Sequence, residues 1–307
     1  MSSVRNELRV RLASTDEERL EAMSLLLSDR VIGQETASLL QSVQRIEGVM
    51  MATAGGEVVG ASWLLRPAGS AALLVPPVTT ERAPAGTGYR LLTAATSWAA
   101  ENDCRRVQAF VLNDAAGMED LLTEFGFHAG PRLHYMAGEA DQIAATGSGP
   151  VAEWTGELQW SRYDSTMRAR MEQVVEQTYI DSLDCPETPD RQSPQEALDN
   201  YLAAGESGAR HWWILRRGER DVGCLILADH PVYRQLELLY MGIVPSCRGR
   251  GWGILVSRGA RHIAAALGRD RVVLAVDHGN SPALQTYEKA GYRITETRRL
   301  YLWNCRP

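Results

Sequence analysis

Residues 236–259 read LELLYMGIVPSCRGRGWGILVSRG, an apolar run followed by a glycine-rich turn and a stretch with helical spacing. The run 236–244 has the length and apolar character of a buried β-strand. The turn 248–253 holds three glycines, which let the backbone adopt conformations closed to other residues. Behind the turn, one helix face collects Leu255, Gly259, Ile263 and Ala266. This stretch therefore predicts a strand, a tight turn and an α-helix in succession.

The order continues downstream and is repeated in the first half of the chain. A buried strand (272–276), a helix containing Leu284 and Tyr287, and a Gly-aromatic stop at 291–292 follow. In the first half, the corresponding features are the strands 71–75 and 107–111, the turn 86–88, the helix 91–98 and the stop 126–127. Gly88 to Gly126 and Gly253 to Gly291 are both 38 residues apart, so a shift of 165 residues superposes the halves. We interpret this match as an internal duplication.

Each half also carries the same elements upstream. A strand (8–12; 158–160) precedes helical stretches (16–27; 165–179) and a predicted hairpin (49–65; 211–227). This mixed order of strands and helices predicts an α/β (α+β mixed sheet) class. We expect two tandem domains, each a mixed central sheet flanked by helices, at 1–140 and 157–307. The small and polar stretch 141–156 is the expected linker.

The composition excludes several classes of function. The chain has 307 residues, of which 45% are hydrophobic and 23% charged, with a net charge of −6. An acidic surface repels phosphate backbones, so we expect no nucleic-acid partner. No apolar run approaches the ~18 residues of a membrane span, and no apolar signal core follows the N-terminus. The expected location is the cytoplasm, without a membrane partner.

Cysteines and histidines give no sign of a metal centre. The five cysteines are scattered without a C-x-x-C pair, and the six histidines lack ligand spacing. This pattern predicts neither a disulfide framework nor a bound metal.

The glycine turn carries the first chemical prediction. A turn between a strand and a helix N-terminus directs successive N–H groups into one hollow, and the helix dipole adds positive potential. Such a hollow suits a pyrophosphate, and Arg248 and Arg250 add charge at its rim. Glycine turns before helices are also common as purely structural features.

Two motifs give the turn a more specific meaning. The pattern Arg-x-x-Gly-x-Gly at 248–253 resembles motif A of the GNAT N-acetyltransferase family. Residues 280–292 read NSPALQTYEKAGY and look like that family's motif B, Asn-x-x-Ala-x-x-x-Tyr-x-x-x-Gly-aromatic. The resemblance covers 236–292 and implies acetyl-CoA as co-substrate, with a pyrophosphate in the turn and pantetheine along a splayed strand. It assigns to the cofactor Met241, Ile243, Arg248, Gly249, Arg250, Gly251, Trp252, Gly253 and Asn280.

The resemblance also implies catalytic roles. Tyr287 would protonate the departing thiolate, as a phenol can at neutral pH; the alternative is a core tyrosine. Glu237 interrupts an apolar strand and is the candidate general base; a water chain is the alternative. We expect partial burial to raise its pKa. The backbone N–H near Met241 would polarise the thioester carbonyl.

The first half lacks these groups. A shift of 165 places Ala72 at Glu237, Pro76 at Met241 and Leu122 at Tyr287, and it replaces Arg248 and Asn280 by alanine. None of these replacements can accept or donate the required proton or hydrogen bond. We therefore predict a degenerate N-terminal domain and a catalytic C-terminal domain. The surviving glycines of the first half serve either CoA binding or the fold alone.

The acceptor segment is acidic. Between 181 and 190 the chain has four acids, among which we select Asp181 and Asp184 as candidate ligands of a cationic amine. A solvated acidic loop is the alternative. Glu187 and Asp190 complete the group.

The predicted function is acetyl transfer from acetyl-CoA to a primary amine of a small molecule or peptide. Synthases that acetylate a cysteinyl sugar thiol precursor show a similar tandem arrangement, so such a substrate stays open. Two other classes are a non-catalytic acyl-CoA sensor and an aminoacyl-tRNA-dependent transferase. A sensor needs neither Tyr287 nor Glu237, and the acidic charge disfavours a tRNA partner.

Overall fold

The computed structural model describes residues 7–28, 47–66, 71–113, 115, 117–141, 158–184 and 193–305. These residues form a mixed α/β fold, as predicted. The strands are β1 (Arg9–Leu12), β2 (Val49–Ala54), β3 (Glu57–Leu65), β4 (Ala71–Thr79), β5 (Arg106–Leu112), β6 (His128–Glu139), β7 (Gln159–Arg162), β8 (Trp212–Arg217), β9 (Arg220–His230), β10 (Gln235–Ile243), β11 (Arg271–Asp277) and β12 (Arg293–Asn304). The α-helices are α1 (Asp16–Ser28), α2 (Thr87–Glu101), α3 (Met118–Phe125), α4 (Arg168–Tyr179), α5 (Pro194–Ala203), α6 (Trp252–Ala266) and α7 (Ser281–Lys289).

The chain divides into two compact units. The first unit contains 1–130 and 298–307, and the second contains 131–297. In the first unit the strand order is β1-β2-β3-β4-β5-β12, and in the second it is β6-β11-β10-β9-β8-β7. Each sheet has one parallel pair, β4 with β5 and β10 with β11, and its other pairs are antiparallel.

The duplication is visible in the bounds of the elements. Helices α2 and α6, strands β5 and β11, and strands β6 and β12 each differ by 165 residues at both ends. The helices α2 and α6 also begin alike, since their N-cap residues Gly86 and Gly251 have φ values of 79° and 78°. Both halves therefore encode the same strand–turn–helix unit.

Strands β6 and β12 are exchanged between the halves. Strand β6 pairs with β11, from Arg271 with Glu139 to Asp277 with Leu133. Strand β12 pairs with β5 in the equivalent register, from Leu112 with Arg298 onward. The compact units consequently differ from the sequence halves 1–140 and 157–307, whose boundaries stay a prediction. Of the linker predicted at 141–156, only residue 141 lies within the described residues.

The second unit buries both faces of its sheet. On one face, Val256 and Ala260 of α6 and Tyr287 of α7 pack against alternate side chains of β9 and β10. On the other face, Met171 and Val175 of α4 pack against β8 and β9. The alternation of side chains along a strand thus decides which helices each residue meets. No helix among the described residues combines the length and apolarity needed to cross a bilayer.

Candidate functional site

The parallel strands β10 and β11 separate after a short contact. They pair only at 235–237 with 271–273. Beyond that point β10 continues beside β9 to Ile243, and β11 continues beside β6 to Asp277. Within the described residues, β10 therefore has an edge without a partner strand from Leu238 onward. This gap corresponds to the splayed strand that the resemblance to the GNAT family implies.

Backbone alternation shows which groups of β10 face the gap. The N–H of Val244 donates to the Val222 carbonyl at 3.0 Å, so residue 244 faces β9. The carbonyl of Ile243 accepts from Arg248 Nε at 3.0 Å, away from β9. Because successive residues face opposite edges of a strand, the N–H groups of Met241 and Ile243 point into the gap. These are the two strand residues predicted to meet the cofactor.

The glycine turn lies where β10 passes into α6, and its N–H groups have no acceptor among the described residues. Gly249 and Gly251 have φ values of 76° and 78°, a region that favours glycine. A Cβ at either glycine would meet no atom within 4 Å, so the turn is open on that side. Among the described residues, no hydrogen-bond acceptor is found for the N–H groups of 249–253. Free N–H groups at a helix N-terminus fit an anion such as a pyrophosphate.

The side chain of Arg248 binds backbone carbonyls and does not point freely into the turn. Its guanidinium donates to the carbonyls of Ile243, Thr178, Ile180 and Asp181 at 2.8–3.1 Å. Three of these carbonyls lie at and just beyond the C-terminus of α4, where backbone carbonyls lack helical partners and attract a cation. The side chain thus joins the glycine turn to the predicted acceptor segment.

Trp252 and Gly253 hold the turn in place. Trp252 is only 6% exposed, and the guanidinium carbons of Arg217 and Arg250 each lie 5.7 Å from its ring centroid. A Cβ at Gly253 would lie 3.0 Å from Cγ2 of Thr286, so the glycine permits α6 and α7 to approach closely. The Trp252 ring and the missing side chain of Gly253 therefore serve packing, and these two residues present their N–H groups to the turn.

Helix α7 carries Asn280 and Tyr287. Asn280 is its N-cap, accepting at Oδ1 from the Ala283 N–H at 3.2 Å. Tyr287 is buried, with its ring at 5.8 Å and 65° from that of Tyr292. Its hydroxyl makes no hydrogen bond with a described residue. Burial and the carboxylate of Asp184 raise the pKa of Tyr287 above the ordinary value of a phenol, so its proton stays available at neutral pH.

Glu237 occupies the last paired position of β10 before the gap. Leu236 and Leu238 pack with α6 and α7, so Glu237 projects from the opposite face of the sheet. Its side chain is 42% exposed, and its Oε2 lies 3.0 Å from Nε2 of His230. Tyr287 and Glu237 therefore lie on opposite faces of the sheet beside the same gap. Sequence reasoning missed His230, whose only signal was its place at the end of the neighbouring strand.

The acceptor segment is described as far as residue 184. Asp181 has a φ of 52° and is fixed by its carbonyl's contact with Arg248. The charge of Asp184 helps to raise the pKa values of both Tyr287 and Tyr201, beside the larger effect of burial. Asp184 therefore lies near the predicted acid. Glu187 and Asp190 lie outside the described residues.

Three tyrosines beside this segment were also missed. The rings of Tyr179 and Tyr240 meet edge to face at 5.7 Å, and Tyr201 stacks on Tyr240 at 6.2 Å. The hydroxyl of Tyr240 lies 2.8 Å from Oγ1 of Thr178. Their spacing in sequence gives no periodic signal, because they come from α4, α5 and β10.

The equivalent strand in the first unit corrects one correspondence. Ala71 pairs with Arg106, whereas Gln235 pairs with Arg271. The register therefore aligns Glu237 with Leu73, one residue beyond the Ala72 expected from a constant shift. Because the turn glycines Gly86 and Gly251 are 165 residues apart, the second half has one more residue than the first between this strand position and the turn.

The first unit's turn and helix also differ from those of the second. Pro76 and Pro77 stand in β4 near the level of Met241, and neither has an N–H to offer. The N–H of Thr87 is taken by the Pro84 carbonyl at 3.2 Å. Leu122 is fully buried where the second unit has Tyr287. Among the described residues of the whole chain, no group of three or more His, Cys, Asp or Glu side chains is arranged to hold a metal.

Comparison with known sequences agrees with this geometry. Residues 175–292 match the model of the Acetyltransferase (GNAT) family. A mycothiol acetyltransferase of Corynebacterium glutamicum is 36% identical over 84 residues, 27% of this chain and 28% of that protein. The match thus spans little more than a quarter of that relative's length. The uncharacterized N-acetyltransferase YdgE of Bacillus subtilis is 30% identical over 109 residues, 34% of this chain and 69% of that protein.

Solved structures extend the likeness in fold to the whole chain. A GCN5-related N-acetyltransferase from Sphaerobacter thermophilus gives a TM-score of 0.66 at 16% identity, covering 98% of this chain and 96% of that one. A tandem GNAT protein from the clavulanic acid biosynthesis pathway gives 0.59 at 14% identity, covering 98% and 99%.

Proposed function

This chain belongs to the GNAT family of N-acetyltransferases, and on that premise we propose that its second unit moves an acetyl group from acetyl-CoA to a primary amine of a small molecule or peptide. The observation that carries the proposal is the gap between β10 and β11, where N–H groups along its edge and at its glycine end have no acceptor in the part of the chain that the structure describes. A thioester with a pyrophosphate at the far end of its carrier matches this arrangement of donors.

Backbone N–H groups bind the co-substrate. The N–H groups of 249–253 receive the pyrophosphate, and those of Met241 and Ile243 face the pantetheine arm and thioester. Arg250 and the α6 dipole add positive potential. Arg248 contributes by fixing the turn against the end of α4. Asn280 shapes the start of α7 beside the gap.

The chemistry is a direct attack. Glu237 accepts a proton from the acceptor ammonium, and the freed amine nitrogen forms a bond to the thioester carbonyl carbon. The Met241 N–H stabilises the negative charge that develops on the carbonyl oxygen. As the carbon–sulfur bond breaks, the Tyr287 hydroxyl gives its proton to the sulfur, and the second proton that the nitrogen loses as the amide forms restores the hydroxyl through solvent. Base and acid act from opposite faces of the sheet, so the acceptor enters from one face and the thiol is protonated from the other.

Asp184 provides recognition of a cationic acceptor. Its carboxylate lies near enough to Tyr287 to affect the pKa of that phenol, and it is exposed to an incoming ligand. Asp181 adds a second carboxylate on the same segment. A positively charged amine is drawn to such a site. The first unit contributes fold and not turnover, because Leu73, Pro76 and Leu122 supply neither a base, an N–H donor nor an acid.

An acceptor screen with the purified full chain tests the proposal. Release of free thiol from acetyl-CoA is followed with a panel of polyamines, amino sugars, amino acids and N-terminal peptides. Because some relatives are named mycothiol acetyltransferases, the panel includes amines that bear a thiol, read by mass spectrometry of the acetylated product. We expect amine-dependent thiol release for at least one class. CoA binding without transfer to any amine would contradict catalysis and favour a sensor.

A further inference from the structure

His230 and Glu237 form a pair, and the reaction described above assigns no role to the imidazole of His230. Nε2 of His230 lies 3.0 Å from Oε2 of Glu237. In the strand register Glu237 stands opposite Ala228, so His230 is its diagonal neighbour on the same face. An ionised carboxylate only accepts, so Nε2–H donates and Nδ1 keeps its lone pair.

One other carboxylate, Asp229 on the same strand, interacts electrostatically with His230. Asp229 is held by two hydrogen bonds from Arg269, at 2.6 and 2.9 Å. Tyr233, from the turn that follows β9, presents its ring 6.5 Å from the imidazole. Because Asp229 is paired with Arg269, Glu237 is the carboxylate that accepts the hydrogen bond from the imidazole. The His230 side chain is 19% exposed, so the pair is partly shielded and still reachable by solvent.

We propose that His230 and Glu237 act as one proton-accepting pair, in which His230 positions the carboxylate and takes over the proton that Glu237 removes from the acceptor ammonium. The proton passes to Nδ1 through water and then to solvent, and no other bond forms or breaks. This inference rests on the proposed function, since it assigns a residue to the same site.

Elementary acid–base chemistry favours the pair over a lone carboxylate. An ordinary carboxyl group has a pKa of about 4.3 and an imidazole about 6.5. Proton transfer is most effective when the acceptor's pKa lies near the working pH. A carboxylate beside an imidazole also stabilises the protonated ring and fixes its tautomer. By these ordinary values an imidazole is the better proton acceptor at neutral pH, so the pair suits proton removal better than a carboxylate alone.

Kinetics of His230→Gln, Glu237→Gln and the double variant test the pair. The glutamine at 230 retains a donor toward Glu237 and removes the base. We expect kcat/KM to fall about 10- to 100-fold in each single variant, and no further in the double variant, as for groups that act as a unit. The controls are His128→Gln and Glu219→Gln, which alter exposed residues elsewhere and should leave turnover unchanged.

The pH profile separates proton uptake from a structural role. In the wild type, activity should be lost on the acidic side as the pair becomes protonated. In His230→Gln, only a carboxyl group remains to accept the proton, so this acidic limb should move to lower pH. A His230→Gln profile that superimposes on that of the wild type would overturn the inference.

A measurement without turnover distinguishes failure of the pair from failure of the proposed function. The ring nitrogen resonances of labelled His230, assigned from their loss in His230→Gln, are compared between the wild type and Glu237→Gln at one pH. We expect the Nε2 resonance to shift in Glu237→Gln, because the charged acceptor of its hydrogen bond becomes a neutral amide. An unchanged resonance overturns the pair even if acetyl transfer is found. A shift in an enzyme that acetylates no amine leaves the pair intact and contradicts the proposed function.

Discussion

Nη2 of Arg248 donates to the carbonyl of Thr178 at 2.9 Å and thereby ties the glycine turn to the end of α4. The same guanidinium also holds the carbonyls of Ile180 and Asp181. The segment that leads to the acceptor acids and the turn proposed for the pyrophosphate are therefore one connected structure.

Arg248→Gln should lower the free energy of unfolding by about 1 to 2 kcal/mol, because several charge-assisted hydrogen bonds are lost from a partly exposed site. Arg250→Gln is the matched control, since within the described residues it removes a contact with the Trp252 ring and should cost about 0.5 kcal/mol. Urea unfolding measures both values. Equal stabilities of the two variants would show that the contacts of Arg248 are unimportant for the fold.

Gly251→Ala should weaken CoA binding at least tenfold while the fold persists. An alanine at φ 78° is strained by about 1 kcal/mol, which shifts the turn without any steric clash. The chain offers a matched control in Gly86→Ala, which introduces the same strain at φ 79° before α2. Calorimetric titration with CoA should show wild-type affinity for Gly86→Ala. Weakened binding in Gly86→Ala, with wild-type affinity in Gly251→Ala, would place the CoA site in the first unit instead.

Asp184→Asn should raise KM for a cationic acceptor about three- to tenfold with kcat within a factor of two, because one attractive charge is lost from binding. Glu219→Gln, at a fully exposed carboxylate, is the control. Initial rates at several acceptor concentrations separate the two constants. A neutral acceptor that shows the same rise in KM would argue against recognition by charge.

The imidazole of His262 makes stability depend on pH. Burial lowers its pKa to about 4, although Asp141 Oδ2 lies 3.4 Å away and favours the charged form. A pKa below its unfolded value of about 6.5 means that the unfolded chain binds the proton more tightly. The stability that the neutral imidazole contributes is therefore fully present above pH 6.5, declines as pH falls from 6.5 to 4, and is lost below pH 4.

His262→Gln should abolish that part of the pH dependence. Between pH 6.5 and 4 the wild type should lose about 2 to 3 kcal/mol more than the variant. Chemical unfolding at several pH values gives the difference curve, and His128→Gln should keep the wild-type slope. Parallel curves for wild type and His262→Gln would contradict the assignment.

The sequence predicted the strand–turn–helix unit and its duplication, because these depend on local patterns such as apolar runs and glycines at fixed spacing. The gap beside β10 was implied by the resemblance to the GNAT family. The exchange of β6 and β12 could not be predicted, because both strands have equivalent positions in the two halves and either sheet could receive either one. Cutting the chain within 141–156 would separate β6 from its partner β11, so the halves are best tested by substitution in the full chain.

The contacts that individual side chains make also could not be predicted from the sequence. Arg248 was expected at the rim of the pyrophosphate hollow, but its contacts lie on carbonyls 67 to 70 residues earlier in the chain. His230 reaches Glu237 only because the register places it diagonally opposite. The pairing of β4 with β5 and of β10 with β11 makes Leu73, and not Ala72, the counterpart of Glu237. Each of these facts depends on strand register, which a constant shift along the sequence does not contain.

The most direct measurement compares turnover of Tyr287→Phe and Tyr292→Phe in the full chain. Both remove one hydroxyl from buried, adjacent rings. The Tyr292 hydroxyl donates to the Ser257 carbonyl at 2.9 Å, so its loss should cost about 1 kcal/mol of stability and leave turnover intact. Tyr287→Phe should keep wild-type stability and lower amine-dependent thiol release roughly 10²-fold or more. Wild-type turnover by Tyr287→Phe at every pH would contradict the proposal that the second unit transfers acetyl groups with Tyr287 as its acid.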